Sequence, residues 1–323
     1  MNKLLDSKAT VLTPLICQRA DPYIHRHMDG YYYFTASVPA YDGIELRRSR
    51  TIAGLADALP VMVWEKPDSG PFSELIWAPE IHYNEGAWYV YFAAAPSREI
   101  KDELFQHRMY AISSGAANPL EGPWHFEGQI ETGMDTFCLD ATTFTHRGQL
   151  YYVWAQKEIG IPGNSNLYIA AMKDPVTIDA KPVRLSIPEY DWETRGFHVN
   201  EGPAIVTHGN RLFMTYSASA TDENYAMGLL WADADADLLD ASSWTKSASP
   251  VLTSSPEHSV FGPGHNSFTV TEDGEFDLLV YHARTYTDIE GNPLWNPDRH
   301  TFVKPLRWNG DGMPEFGDAG LAG

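Results

Sequence analysis

Basic side chains, cysteines and long apolar runs are all scarce in this chain, and each scarcity removes a class of function. Only 23 Lys and Arg stand against 43 Asp and Glu, a formal charge of −20 with histidine neutral. Binding to DNA, RNA or an anionic bilayer draws on clustered cations. No concentrated basic patch stands out, so neither a nucleic-acid nor a membrane partner is expected. Two cysteines, Cys17 and Cys138, could form at most one bridge and match no metal-ligand spacing, so buried free thiols are expected. The longest apolar runs, such as 88–95, have strand length and fall well below the roughly 18 residues of a membrane helix. Near the N-terminus Asp6 and Lys8 interrupt any apolar signal core, from which a cytoplasmic location is expected. Phosphate-cradling glycine motifs and a GxSxG elbow are absent. Convincing helices are absent too, residues 232–239 amounting to at most a turn or two.

Aromatic residues are plentiful: 17 Tyr, 14 Phe and 10 Trp, within a hydrophobic share of 43%, supply a large globular core. They recur in a pattern. Five segments begin at Asp21, Ala78, Asp140, Glu201 and His265, spaced by 57, 62, 61 and 64 residues. Each runs from a polar start through an apolar stretch and a glycine turn into an aromatic-rich strand. The turn glycines Gly30, Gly86, Gly148, Gly209 and Gly274 lie 8 or 9 residues after the starts, which is hairpin spacing. Third strands are predicted at 44–48, 109–113, 167–172, 226–231 and 301–304. Trp64, Trp124 and Trp244 mark where fourth strands would close the first, second and fourth units.

About sixty residues holding four antiparallel strands, repeated five times, predict an all-β fold, a five-bladed β-propeller. A large β-sandwich is the competing architecture. The prediction treats residues 1–323 as one propeller domain with no appended β-sandwich. In a propeller the first strand of each blade lines the central channel, so the five starts should converge at one end of the axis.

Three of those five starts are carboxylic acids. Singly, each has an ordinary structural reading as a cap, a hydrogen-bond acceptor or an exposed loop acid. Their recurrence at one place in the repeat argues for chemistry, because clustered carboxylates repel and buried ones need partners. Two carboxyl groups flanking a bond, one protonated and one ionised, are the equipment of glycoside hydrolysis, and a third can hold the acid in its protonation state. The His25–Arg26–His27 cluster is read as a polar turn leading to Asp29–Gly30, not as a metal site.

The chain resembles the five-bladed propeller glycoside hydrolases of family 43 in Asp21 of ADPYI, Asp140 of LDATTF and Glu201 of NEGPAIV, over nearly its whole length. The resemblance implies that Asp21 is the general base, Asp140 the residue that tunes and orients the acid, and Glu201 the general acid. It further implies that Trp77 of LIWAPE forms an apolar wall of the sugar pocket and that Arg284 of YHAR reaches a sugar hydroxyl or the acid–base pair. His265 of GPGHNSF would sit in the channel beside a bound ion such as calcium or its waters, or serve as a hydrogen-bonded histidine with no ion. No cofactor is required for the chemistry.

The function implied is an inverting, exo-acting hydrolase that releases terminal α-L-arabinofuranosyl residues from arabino-oligosaccharides or arabinan. A β-D-xylosidase, an endo-arabinanase and a non-catalytic carbohydrate-binding propeller are the alternatives. Inversion is expected because the first and fourth blades face each other across the channel mouth, which leaves room for a water between base and sugar.

Overall fold

The hydrophobic repeat closes into a ring of five antiparallel sheets in the computed structural model, which describes residues 10–322. Blade 1 comprises β1 (Ala20–Arg26), β2 (Tyr32–Ser37), β3 (Gly43–Ser49) and β4 (Val61–Glu65). Blade 2 follows with β5 (Glu74–Asn84), β6 (Ala87–Ala95), β7 (Arg108–Ser114) and β8 (His125–Gln129). Blade 3 has β9 (Cys138–His146), β10 (Gln149–Gln156) and β11 (Asn166–Asp174), with β12 (Thr177–Ile178) and β13 (Val183–Ser186) both paired to β11. Blade 4 is β14 (Asn200–His208), β15 (Arg211–Ala218), β16 (Ala226–Asp233) and β17 (Thr245–Lys246). Blade 5 has β18 (Phe261–Val270), β19 (Asp277–Arg284) and β20 (His300–Pro305), after which β21 (Arg307–Trp308) and β22 (Pro314–Glu315) form a small hairpin.

All five third strands lie where the sequence pattern places them. Trp64 lies on β4, while Trp124 and Trp244 each immediately precede the outer strand of their blade. The fifth blade has three strands of its own, and the segment before β1 covers its outer edge. Ile16 bridges Thr301, the Leu15 N–H donates to the Thr301 carbonyl at 2.7 Å and the Thr301 N–H to the Ile16 carbonyl at 2.9 Å. The beginning of the ring is thereby sewn to its last blade, and an otherwise open sheet edge is paired. Between blades the second strands are buried on both faces, with Trp88, Trp154, Tyr91 and Tyr152 at the centre of the packing.

Every inner strand breaks its ladder at the same place. In β1 the pairing Ala20↔Ser37 jumps to Tyr23↔Thr35, and equivalent jumps follow Trp77, Leu139, Glu201 and Gly264. The first extra residue of each bulge is left-handed: Asp21 (φ 55°), Ala78 (45°), Asp140 (55°), Gly202 (55°) and His265 (42°). A bulge re-aims a side chain and is a recurrent device beside functional sites. The repeat therefore holds with one correction. Gly202, not Glu201, is the structural counterpart of Asp21 and Asp140, and Glu201 occupies the position held elsewhere by Ala20, Trp77, Leu139 and Gly264.

Two smaller expectations also change. His25 and Arg26 belong to β1 rather than to a turn, and the His25 ring meets the edge of Trp88 at 5.5 Å; the turn begins at His27. Cys138 is a buried free thiol as expected, but Cys17 is exposed.

Candidate active site

The five bulges open into one cavity at the end of the axis, lined by Asp21, Trp77, Asp140, Glu201, His265 and Arg299 together with loop residues. The bulge geometry turns Asp21 inward from blade 1, where it is almost fully buried. Ser37 Oγ donates to its Oδ2 at 2.6 Å, and Arg299 Nη1 and His265 Nδ1 each lie 3.3 Å from Oδ1. His282 Nδ1 lies 3.0 Å from the Asp21 backbone N and 3.2 Å from its Oδ1, so the ring holds both the backbone and the carboxylate of the bulge. Burial pushes the Asp21 carboxyl toward protonation. The Arg299 guanidinium and then His265 overcome that, holding it well below the usual carboxylate range. Asp21 is thus a buried carboxylate that stays ionised.

Glu201 has the opposite environment. Burial pushes it up to about 7; the Tyr225 hydroxyl, donating to Oε1 at 2.8 Å, works against that shift, Asp21 adds to it and Arg299 subtracts. Asp140 is raised as well, by burial first and then by the charges of Glu201 and Asp21, although its Oδ2 accepts the Gly202 N–H at 3.1 Å. Two neighbouring carboxyl groups, both raised by burial and by the charge of Asp21, retain a proton into the neutral range as a pair. Gly202 makes this contact possible, since a Cβ there would lie 3.1 Å from His265 Cγ. Below them in the channel, burial raises Glu80 to about 8 and lowers His82 to about 3. His82 Nε2 lies 3.0 Å from Glu80 Oε2.

Trp77 lines the cavity from the bulge position of blade 2 that corresponds to Glu201. Its indole stacks on His107 with centroids 4.0 Å apart and meets Phe105 edge-on at 5.4 Å. His265 also lines the cavity. Its N–H donates to Ser217 Oγ at 2.7 Å, and its Nδ1 faces Asp21 and, at 3.7 Å, Asp140. Among the described residues no group of three or more His, Cys, Asp or Glu side chains converges as a metal cage.

Arg284 does not line the cavity. Its guanidinium is spent on Asn296 Oδ1 and on the carbonyls of Pro293, at 2.7 Å, and Thr221, so it pins the turn that brings the 292–296 segment to the pocket. The arginine that reaches the carboxylates is Arg299, buried against Asp21 and donating to Tyr41 Oη at 3.1 Å. Sequence reasoning missed it, together with Tyr225, Ser37 and His282. Arg299 shows the same signal that singled out Arg284, an arginine at the edge of an apolar strand of the fifth unit, here just before β20. Tyr225 immediately precedes the third strand of unit four.

The chain belongs to the glycosyl hydrolases family 43, whose family model matches residues 12–314. It is 52% identical over 308 residues to a protein of Streptomyces avermitilis named extracellular exo-alpha-(1->5)-L-arabinofuranosidase, covering 95% of this chain and 63% of that relative. A Streptomyces chartreusis protein of the same name is 50% identical, over 87% of this chain and 84% of the relative. Among solved structures, an alpha-L-arabinofuranosidase from Lactobacillus brevis superposes with a TM-score of 0.94 at 59% identity, covering 95% of this chain and 96% of that one. The chain spans less than two thirds of the length of the first relatives, 63% of the S. avermitilis protein and 62% of a Humicola insolens one. Both Streptomyces relatives are named extracellular, which overturns the expectation of a cytoplasmic location. That expectation leaned on the first residues of the chain, of which 1–9 lie outside the described residues.

Proposed function

We propose that the chain is an inverting, exo-acting glycoside hydrolase that releases terminal α-L-arabinofuranosyl residues from arabino-oligosaccharides or arabinan. The observation that carries the proposal is the division of labour within one cavity: an ionised Asp21 held by Arg299, and a Glu201 whose proton is retained to about pH 7. General acid–base catalysis needs groups in those two states at the same pH. Asp21 takes a proton from water as the water oxygen bonds to the anomeric carbon. Glu201 delivers its proton to the glycosidic oxygen as the bond from that oxygen to the anomeric carbon breaks. Asp21 ends protonated and Glu201 ionised. Asp140 acts through Glu201, as the second member of the pair that retains the acid proton, and His265 orients Asp21 and Asp140 toward each other. Trp77 forms the apolar wall.

The names of the relatives at 50–59% identity favour arabinofuranosyl over xylosyl substrates. A propeller that only binds carbohydrate has no use for two carboxyl groups held in opposite protonation states.

A panel of 4-nitrophenyl glycosides tests the substrate, and two variants test the roles. Asp21→Asn and Glu201→Gln should each lower turnover of a poor-leaving-group substrate by about 10²–10⁴-fold or more while unfolding as the wild type does. With a dinitrophenyl leaving group, which needs little protonation, Glu201→Gln should recover much of its rate and Asp21→Asn should not. Near wild-type turnover in either variant on the poor-leaving-group substrate would remove the assignment.

A further inference from the structure

We infer that Glu193 is the positioning residue for the acid: acting through Asn200, its buried carboxylate holds Glu201 where the proton can be delivered to the glycosidic oxygen. The inference rests on the proposed hydrolase reading and adds to it a residue that does not touch the substrate. Glu193 lies outside the cavity, at the end of the short turn Asp191–Glu193 in the connection between blades 3 and 4, and it is wholly buried. A glutamate is almost never fully buried without partners. Every group hydrogen-bonded to this one is a donor. Its Oε1 accepts Asn200 Nδ2 at 3.0 Å and the Tyr216 hydroxyl at 2.7 Å, its Oε2 accepts the N–H groups of Glu189 at 2.8 Å and Tyr190 at 2.9 Å, and Lys246 Nζ lies 2.9 Å from the carboxylate. The Tyr216 ring is itself fixed, since a Cβ on Gly228 would fall 2.2 Å from its Cζ.

Asn200 is the residue before the acid and is wholly buried too. Its Nδ2 also donates to the Val199 carbonyl at 2.9 Å, and its Oδ1 accepts Ser186 Oγ at 2.6 Å. Its N–H donates to the Ser165 carbonyl at 3.0 Å, and its carbonyl accepts Ser165 Oγ at 3.2 Å. Every polar atom of Asn200 is thus spent on fixing the chain at that point. On the other side of Glu201 the Gly202 N–H is held by Asp140 Oδ2 at 3.1 Å. The Glu201 carboxyl has one hydrogen-bond partner among the described residues, the Tyr225 hydroxyl at 2.8 Å. A side chain with a single direct tether takes its place from its backbone, and this backbone is pinned from both sides by a carboxyl group, Asp140 in the cavity and Glu193 behind it. Proton transfer is sensitive to such placement, because a displacement of about 1 Å can cost about 10²-fold in rate.

The test compares wild type, Asn200→Ala and Glu193→Gln on an arabinofuranosyl oligosaccharide and on a dinitrophenyl arabinofuranoside, whose leaving group needs little protonation. Asn200→Ala cuts the link and leaves Glu193 its four other donors; Glu193→Gln keeps the volume but turns an amide N–H2 toward donors. On the oligosaccharide each variant should lose about ten- to a hundredfold in kcat, with KM within about twofold of wild type, and on the dinitrophenyl glycoside each should stay within about threefold. Losses of equal size on both substrates are what a merely structural role gives and overturn the inference, as does an unchanged kcat on the oligosaccharide. Should either variant fail to fold, the other decides by the same comparison. Should the wild type turn over neither substrate, the hydrolase reading fails by itself. The crystal structure of Asn200→Ala then decides for Glu193: a Glu201 carboxyl displaced from the Tyr225 hydroxyl supports the anchor, and one in its wild-type place refutes it.

Discussion

Replacing Tyr225 by Phe isolates one hydrogen bond that sets the proton affinity of Glu201. The hydroxyl donates to Glu201 Oε1 at 2.8 Å, and it is the largest influence pulling the Glu201 carboxyl back down from the rise caused by burial. The ring itself is fixed independently of that bond. It stacks on His282 with centroids 5.5 Å apart and planes 5° from parallel, and it packs where a Cβ on Gly264 would come within 2.4 Å of Tyr225 Cε1. Phe therefore keeps the shape and removes only the donor. A hydrogen bond to a charged group contributes about 1.5–3 kcal/mol, and part of it persists when the carboxyl is protonated. At about 1.36 kcal/mol per pKa unit, the ionised form should lose about one unit of preference. The sign follows: the donor favours the anion, its loss favours the protonated acid, and the acid is the working form. The alkaline limb of kcat/KM, set by a Glu201 carboxyl at about 7 in the wild type, should move upward by about one unit. Initial rates on an arabinofuranosyl oligosaccharide between about pH 4 and pH 10 measure it. A limb that stays in place, or moves to lower pH, would refute the role given to Tyr225 and weaken Glu201 as the acid.

Asp140→Asn should move the same limb the other way, to lower pH, because the proton retained by two mutually repelling carboxyl groups is released earlier when one repelling partner is gone; an unchanged limb and rate would reduce Asp140 to a structural role. Gly202→Ala should lower both stability and turnover. Its φ of 55° and the 3.1 Å approach to His265 Cγ strain the bulge and disturb the N–H that Asp140 accepts, at a cost of about 1–2 kcal/mol. Denaturant unfolding followed by an activity assay measures both effects, and an alanine variant equal to wild type in each would contradict the close packing of bulge four.

The propeller was legible because its signals are local and repeated. The hairpin glycines Gly30, Gly86 and Gly148 recur at fixed distance from aromatic runs, and a period near sixty residues leaves few architectures open. The convergence of Asp21, Asp140 and Glu201 followed from that period alone. What the period could not show was the one-residue offset of Glu201. All five inner strands bulge, but only the backbone reveals which residue takes the left-handed conformation; the glycine after Glu201 was the one written clue, since glycine is the residue that adopts it without strain. The choice between Arg284 and Arg299 was equally hidden. Both flank apolar strands of the fifth unit, and which one meets Asp21 depends on how the fifteen or so residues between them fold back, a matter of tertiary packing that no spacing carries. The closing contribution of residues 15–16 to blade 5 likewise joins the two ends of the ring, beyond the reach of any local pattern.

The central claim is that Asp21 in blade 1 activates a water while Glu201 in blade 4 protonates the departing oxygen, and the stereochemistry of the product tests it most directly. Base and acid acting from opposite sides of the sugar through an intervening water give single displacement, for which carboxyl groups about 6.5–9.5 Å apart are typical, against about 5–5.5 Å when a covalent intermediate forms. Proton NMR of the first-formed arabinose, recorded before mutarotation, reads the outcome. An α-L-arabinofuranoside should give the β-anomer first; initial α-anomer would mean that Asp21 and Glu201 do not divide the work as base and acid.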